Sequence, residues 1–557
     1  MSPDDQQLFK GAYENFSHQR FDDCIKTLKK LIKRKVKSEQ IFNVLGLAYA
    51  RKGKSNEALK AFRGALKLNP KSAMSHANLA QVYEQEAKWS LAEASYQQSI
   101  ACNPSDNKLI LNYGLCLQKQ EKWADANPVF DAFIRAGGSP LEGYIRKAVC
   151  LYGQHLYPHA QTQLNLAKAI DENHAAIRYY QAMIYDKTNK KSLAEQLFLP
   201  LIKEKHGPSY FSLGLLYFSI GRWKEAFELN EHRPISQSLN REFTQSNVVA
   251  WEGEPLAGKA ILLLEEQGIG DQIRYLFFLH PLLKEADKVF VFLDERLYPL
   301  ITSTFNNVTC LKKVKVTQKL TNDLGIDVTA CIGSLGRLYH QALKKRHVSP
   351  AIPINTMINC DANERQGFSY LKADAQHVAM WRDLLTPIRI KLVVGACWRS
   401  VKTIEERNDW YLTIEQVATL FKGLDVTLVN LQYGASDDEI AYLQEQGVDI
   451  TCVNRLDYGK NVNFKDDQQA LAALLTTMDV VVSAATALSE LSAALGVPTI
   501  VFATRDTKWF LAEQHMAGFH PLMKLYYKNA FSDWADVISD IREIILLASG
   551  QSTAIDA

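Results

Sequence analysis

Asp271 is the carboxylate best placed to do chemistry. It ends the run Ile261-Leu-Leu-Leu-Glu-Glu-Gln-Gly-Ile-Gly-Asp-Gln-Ile-Arg-Tyr-Leu, which reads as a strand, a glycine turn and the start of a helix. Gly268 and Gly270 let the backbone turn tightly and come close to a substrate, and the turn puts Asp271 at the strand's carboxyl end, where ligands of parallel sheets bind. A carboxylate there can accept a proton from an attacking hydroxyl. Its alternative role is to cap the helix it begins.

Three further segments share this grammar of strand, turn and helix. Val393-Val-Gly-Ala-Cys-Trp-Arg-Ser-Val-Lys ends a strand and is followed by Arg399, Lys402 and Arg407 in a short loop, a cluster of cations suited to a diphosphate unless solvent alone surrounds them. Leu428-Val-Asn-Leu-Gln-Tyr-Gly-Ala presents Gln432 and Tyr433, able to hydrogen-bond or stack on a base, with ordinary packing as the other reading of the tyrosine. From Asp479, a strand leads into the small residues Ser483 to Ala487, among them Thr486, and then a helix. Small residues at a helix start expose backbone N–H groups to an anion such as phosphate, or else serve tight helix-sheet packing.

Strands alternating with helices must carry these segments. The expected strands are Ala260–Leu264, Lys288–Leu293, Val308–Leu311, Leu392–Ala396, Val426–Leu431, Val480–Ser483 and Thr499–Phe502. That alternation predicts parallel sheets. Pro350–Ile358 and the stretch after it lack a strand pattern, so two Rossmann-like lobes are expected, over about 250–380 and 385–557, with a cleft between them.

The first half has another texture. Small residues recur 34 positions apart at Ala12, Gly46, Ala80, Gly114, Ala148 and Ala182. The same period carries Cys24, Ala58, Ala92, Ala126, Ala160 and Ala194, and again Leu28, Phe62, Tyr96, Phe130, Leu164 and Phe198. Tyr49, Tyr83, Leu117, Leu151 and Tyr185 add a fourth register, and Pro70 and Pro104 end two repeats. Small residues let paired helices approach closely, and the large residue four positions after the second small one is expected to pack against the next hairpin. The pattern resembles the tetratricopeptide repeat and spans about 5–235, so residues 1–240 are predicted to form an α-solenoid whose groove binds a peptide, a protein or a partner domain. The basic stretch Lys26–Lys37 reads as a solvated outer helix face, with a polyanion site as the other reading.

Composition narrows the partners. The 557 residues are 47% hydrophobic and 22% charged, as expected of a chain that folds throughout into several domains. A net charge of +3 supplies no field for nucleic acid. No apolar run approaches the roughly 20 residues of a membrane span, and Met1-Ser-Pro-Asp-Asp-Gln-Gln does not read as a signal peptide, so a cytoplasmic protein is expected. Nine cysteines without a CxxC pair or a nearby histidine cluster suggest free thiols, with no disulfide framework and no metal site.

Taken in order after the repeats, Glu266-Gln-Gly-Ile-Gly-Asp, Gly395-Ala-Cys-Trp-Arg-Ser, Leu431-Gln-Tyr-Gly, and Ser483 through Ala494-Leu-Gly-Val-Pro resemble bacterial repeat-containing glycosyltransferases related to the O-linked N-acetylglucosamine transferases and the heptosyltransferases. The resemblance implies a GT-B fold working without a metal or cofactor, with a nucleotide-sugar as co-substrate and a protein or glycan acceptor recruited by the repeat groove. It implies Asp271 as general base of an inverting transfer, with Gln267, Gly268 and Gly270 on the acceptor side. Trp398, Arg399, Lys402, Arg407, Gln432, Tyr433, Ser483, Thr486, Ala487 and Glu490 would lie on the donor side. Relatives usually carry an acidic residue where Ala485 stands and a histidine where Glu490 stands. Glu490 would then contact a ribose or sugar hydroxyl of an unusual donor, or the site would be inactive and the chain an adaptor working through its repeats. A nucleotide-binding sensor is the third expectation.

Overall fold

The computed structural model describes residues 1–266, 268–346, 354–358, 362–389, 391–400, 410–453, 462–504, 519–528 and 533–551. Contacts divide the chain into two compact units, Met1–Leu201 and Ile202–Ala557.

The first unit is a helical solenoid of paired helices, beginning with Pro3–Ser17 against Phe21–Lys33 and Glu39–Arg51 against Ser55–Leu68. The periodic residues are its core: Ala12, Ala80, Cys24, Ala58, Phe62, Phe130 and Phe198 are all fully buried. The large residue packs differently from expectation. A Cβ at Gly46 would lie 2.4 Å from the Phe62 ring, and one at Gly114 2.7 Å from Phe130, so each ring fills the gap that a glycine leaves in its own hairpin rather than in the next. A fifth register appears in the backbone alone. Gln19, Gly53, Ala87, Glu121, His155 and Asn189, again 34 apart, all take a left-handed φ of 55° to 69° and turn the chain within each hairpin.

Between hairpins the device varies. Lys35, Gly137 and Lys205 are left-handed, whereas Asn69 is extended and Asn103 has a similarly negative φ of -146°. Pro70 and Pro104 follow those two asparagines, and a residue before proline is pushed toward the extended region.

The second unit begins earlier than the sequence boundary near 240. Its opening hairpin, Gly207–Ser219 with Trp223–Asn230, has repeat character but belongs to the α/β unit, because Phe227 packs on Gly336 and edge-on to Phe278. Helix Pro234–Ser246 follows, then two parallel sheets. One holds β1 (Ala260–Leu264), β2 (Lys288–Phe292), β3 (Val308–Cys310) and β4 (Val328–Cys331) in the order β3-β2-β1-β4. The other holds β5 (Leu392–Cys397), β6 (Val426–Asn430), β7 (Ile450–Thr451), β8 (Val480–Ala484), β9 (Thr499–Thr504) and β10 (Met523–Lys528) in the order β10-β9-β8-β5-β6-β7. The central strands are buried along their whole length, as parallel strands covered by helices on both faces must be. Among the described residues no helix is long and apolar enough to cross a membrane.

Candidate functional site

At the carboxyl end of β1 the chain passes through Gly268 into the short helix Ile269–Tyr275. Asp271 sits in its first turn, where a carboxylate favours the helix dipole, and among the described residues it makes no hydrogen bond to the helix backbone. It is instead held sideways. Arg274, one turn on and fully buried, donates from Nη1 to Asp271 Oδ1 at 3.1 Å. The Asp271 side chain remains 28% exposed, and the brace engages Oδ1 alone.

Arg274 also reaches across to the other sheet. Its Nε donates to Glu490 Oε2 at 3.2 Å, and its Nη2 bonds Glu490 Oε1. His520 Nε2 lies 2.8 Å from the same Glu490 Oε2. Burial works against a charged Glu490, but the Arg274 charge and the His520 hydrogen bond outweigh it and hold the carboxyl at about 2. Burial likewise opposes the charge on Arg274, and Glu490 and Asp271 overcome it and push its pKa up. Glu490 belongs to the first turn of helix Ala487–Ala494, which follows β8, and that helix packs on Ile269–Tyr275. A Cβ at Gly270 would stand 3.4 Å from Ala487 Cα, so the glycine permits the two helix starts to meet.

This geometry corrects the expected role of Glu490. At 3% exposure, with both oxygens engaged by Arg274 and His520, it cannot face a sugar hydroxyl; it ties the two sheets together behind Asp271. The sequence flagged neither Arg274 nor His520. The i, i+3 spacing of Arg274 from Asp271 was a usable signal, whereas His520 reaches Glu490 only through the fold.

Glu266 is a second buried carboxylate with a structural task. Arg233 holds it bidentately at 2.6 and 3.2 Å, and the Gly333 N–H donates to it at 3.0 Å. A Cβ at Gly333 would lie 2.5 Å from Glu266 Oε1, so glycine is required for that approach.

On the second sheet, β5 and β6 end side by side. Gln432 is buried and its Oε1 accepts from the backbone N–H groups of Trp398 and Arg399 at 3.0 and 2.8 Å, so it shapes the loop after β5 instead of facing a base. Trp398 is itself 2% exposed. Arg399 donates to Glu439 at 2.7 and 3.3 Å and to the Gly434 carbonyl at 3.2 Å. Burial raises the Glu439 pKa, but the hydrogen bond and charge of Arg399, with the Ser436 N–H and Trp398, together outweigh it and the carboxyl stays below its ordinary range. Ser483 is buried and donates to the Ala484 carbonyl, which removes it as a ligand contact. Tyr433 is 38% exposed, with Lys465 Nζ over its ring 5.9 Å from the centroid. Thr486 and Ala487 are half-buried at the helix start, and the Thr486 N–H already donates to Ser489 Oγ at 3.2 Å. Gln267, Lys402 and Arg407 lie outside the described residues.

The structure thus joins Asp271, Gly270, Ala487 and Glu490, while Trp398, Arg399 and Gln432 form a separate internally bonded group at the ends of β5 and β6. The chain is 24% identical over 337 residues to Protein FlbA of Caulobacter vibrioides, an alignment covering 58% of this chain and 52% of FlbA. It therefore spans about half the length of that curated relative. A tetratricopeptide repeat protein of Parabacteroides merdae is similar over 43% of this chain and 97% of its own, at 17% identity and a TM-score of 0.38. MamA is similar over 31% of this chain and 94% of its own, at 19% identity and a TM-score of 0.29. Residues 43–107 match the tetratricopeptide repeat family model, so the first unit is a solenoid of that repeat and an α/β region with parallel sheets follows it.

Proposed function

We propose that this chain is a glycosyltransferase of GT-B type that moves a sugar from a nucleotide-sugar to a hydroxyl of a protein or glycan, without a metal and with inversion at the anomeric carbon. The observation that carries the reading is the bridge from Asp271 through Arg274 to Glu490. It holds a partly exposed carboxylate at the carboxyl end of one parallel sheet, against the helix that opens after β8 of the other. Ligands of parallel sheets bind at such ends.

In the proposed step, the free oxygen of Asp271 takes the proton of the acceptor hydroxyl as that oxygen attacks the anomeric carbon. The bond from that carbon to the diphosphate breaks with its electron pair, and the nucleoside diphosphate leaves. Arg274 fixes the carboxylate so that no rotamer search precedes proton transfer. Tyr433 would stack on the base, while Arg399 and the turn at Thr486 would meet the departing charge. The acceptor is brought by the repeat groove.

A second reading, an inactive adaptor acting through its repeats, is favoured by the internal commitments of Arg399, Gln432, Ser483 and Glu490. Thermal unfolding with a panel of nucleoside diphosphates separates the two. A donor product at 100 times its dissociation constant stabilises by about 2.7 kcal/mol. A selective rise in melting temperature supports the transferase, and no rise with any member favours the adaptor.

A further inference from the structure

β3 is the edge strand of the first sheet, and its pairing with β2 stops early. The Leu311 N–H still donates to Val291 O at 3.0 Å; beyond it, the backbone of residues 312–315 makes no hydrogen bond among the described residues. An exposed row of unpaired N–H and C=O groups is a template for another strand. Here it is also chemically marked. Lys312, Lys313 and Lys315 are exposed, and Lys312 and Lys315 have no ion-pair partner among the described residues, while Lys313 pairs with Glu265.

Beside this edge lies a cavity of about 410 Å³, within the usual range for ligand sites. Its floor is Leu264 and Phe292 at the carboxyl ends of β1 and β2, and one wall is Leu239 and Phe243 of helix Pro234–Ser246. Val314 and Val316 close the other side. Val316 is buried, whereas Val314 is 53% exposed, a large apolar side chain left in water at the mouth.

We propose that this edge captures an extended polypeptide by strand addition. The incoming backbone pairs with the free groups of residues 312–315, one leucine-sized or aromatic side chain enters the cavity, and flanking carboxylates meet Lys312 and Lys315. Unpaired backbone beside an apolar pocket favours a peptide over a small molecule, since main-chain bonds supply affinity and the pocket supplies choice. The inference rests on the transferase reading and narrows its acceptor to polypeptide, held at the same strand ends as Asp271.

The test is fluorescence anisotropy of the full chain with labelled, end-capped heptapeptides. Their central residue is phenylalanine, leucine, alanine or lysine, and their flanks are aspartate or lysine. The aspartate-flanked phenylalanine and leucine peptides should bind, with central alanine weaker by about 10- to 100-fold. Val314→Glu, an exposed substitution that folding tolerates, should erase the preference for an apolar centre, and Lys312→Glu with Lys315→Glu should reverse the preference for aspartate flanks. Backbone N-methylation of the peptide should weaken binding further. Equal binding of alanine and phenylalanine peptides, indifference to Val314→Glu, or binding by no member of the panel overturns the proposal. Peptide binding needs no donor, so a chain that binds the peptides but never transfers a sugar would refute the transferase and leave this site standing.

Discussion

Arg274→Met removes the guanidinium that Asp271 and Glu490 share. Glu490 is held at about 2, well below its ordinary value of 4.5, which corresponds to stability on the order of a few kcal/mol at neutral pH. Because the folded value lies below the unfolded one, this stabilisation is present above pH 4.5 and is lost as pH falls from there toward 2. Leaving a buried carboxylate without its cation costs about 3–5 kcal/mol by analogy with other broken buried pairs. Hydrogen exchange read by mass spectrometry on Ile269–Tyr275 and Ala487–Ala494 measures the effect locally, which suits a chain with more than one folding unit. The variant should exchange there at least about 100-fold faster at pH 7. The double variant Arg274→Met with Glu490→Met should recover much of the protection, since apolar replacement of a whole buried pair is often near neutral. Unchanged exchange in the single variant, or a double variant no better protected than the sum of its parts, would refute the assignment of this bridge as the tie between the sheets.

Other substitutions probe separate parts of the structure. Ala87 is left-handed, a conformation that strains any residue with a Cβ, so Ala87→Gly should stabilise the solenoid by about 1 kcal/mol in urea unfolding. Phe62→Ala empties the space over Gly46 and should lower stability by about 3–5 kcal/mol in the same assay. Gln432→Leu strips the acceptor from the Trp398 and Arg399 N–H groups; a loss of about 1–3 kcal/mol for each unsatisfied group is expected in denaturant unfolding of the second unit. Gly333→Ala drives a methyl group into Glu266 and Tyr275 and should cost about 1–3 kcal/mol, seen as a lower melting temperature.

The solenoid was legible in the sequence because its packing repeats in residue types, and Ala58, Ala92 and Ala126 are interchangeable small residues at one spacing. Its left-handed turns were not, since Gln19, Ala87, Glu121 and His155 share a backbone angle and no side-chain chemistry. Strands announced by apolar runs, such as β1 and β8, stood out, whereas β7 has two residues and β10 alternates lysines and tyrosines with its apolar positions. The position of Asp271 followed from a strand and two glycines. The partners of Glu490 did not, because Arg274 and His520 meet it from distant stretches of chain and only the fold brings them together. Ser483 and Gln432 read as ligand contacts from their polarity, but burial decides otherwise.

The most direct measurement is release of nucleoside diphosphate from a panel of nucleotide-sugars by the wild-type chain and by Asp271→Asn, with acceptor peptide present. The account predicts release and sugar transfer with one donor class in the wild type, and loss of both in Asp271→Asn with the product-induced thermal shift retained. Turnover by Asp271→Asn at the wild-type rate would contradict the role given to this carboxylate.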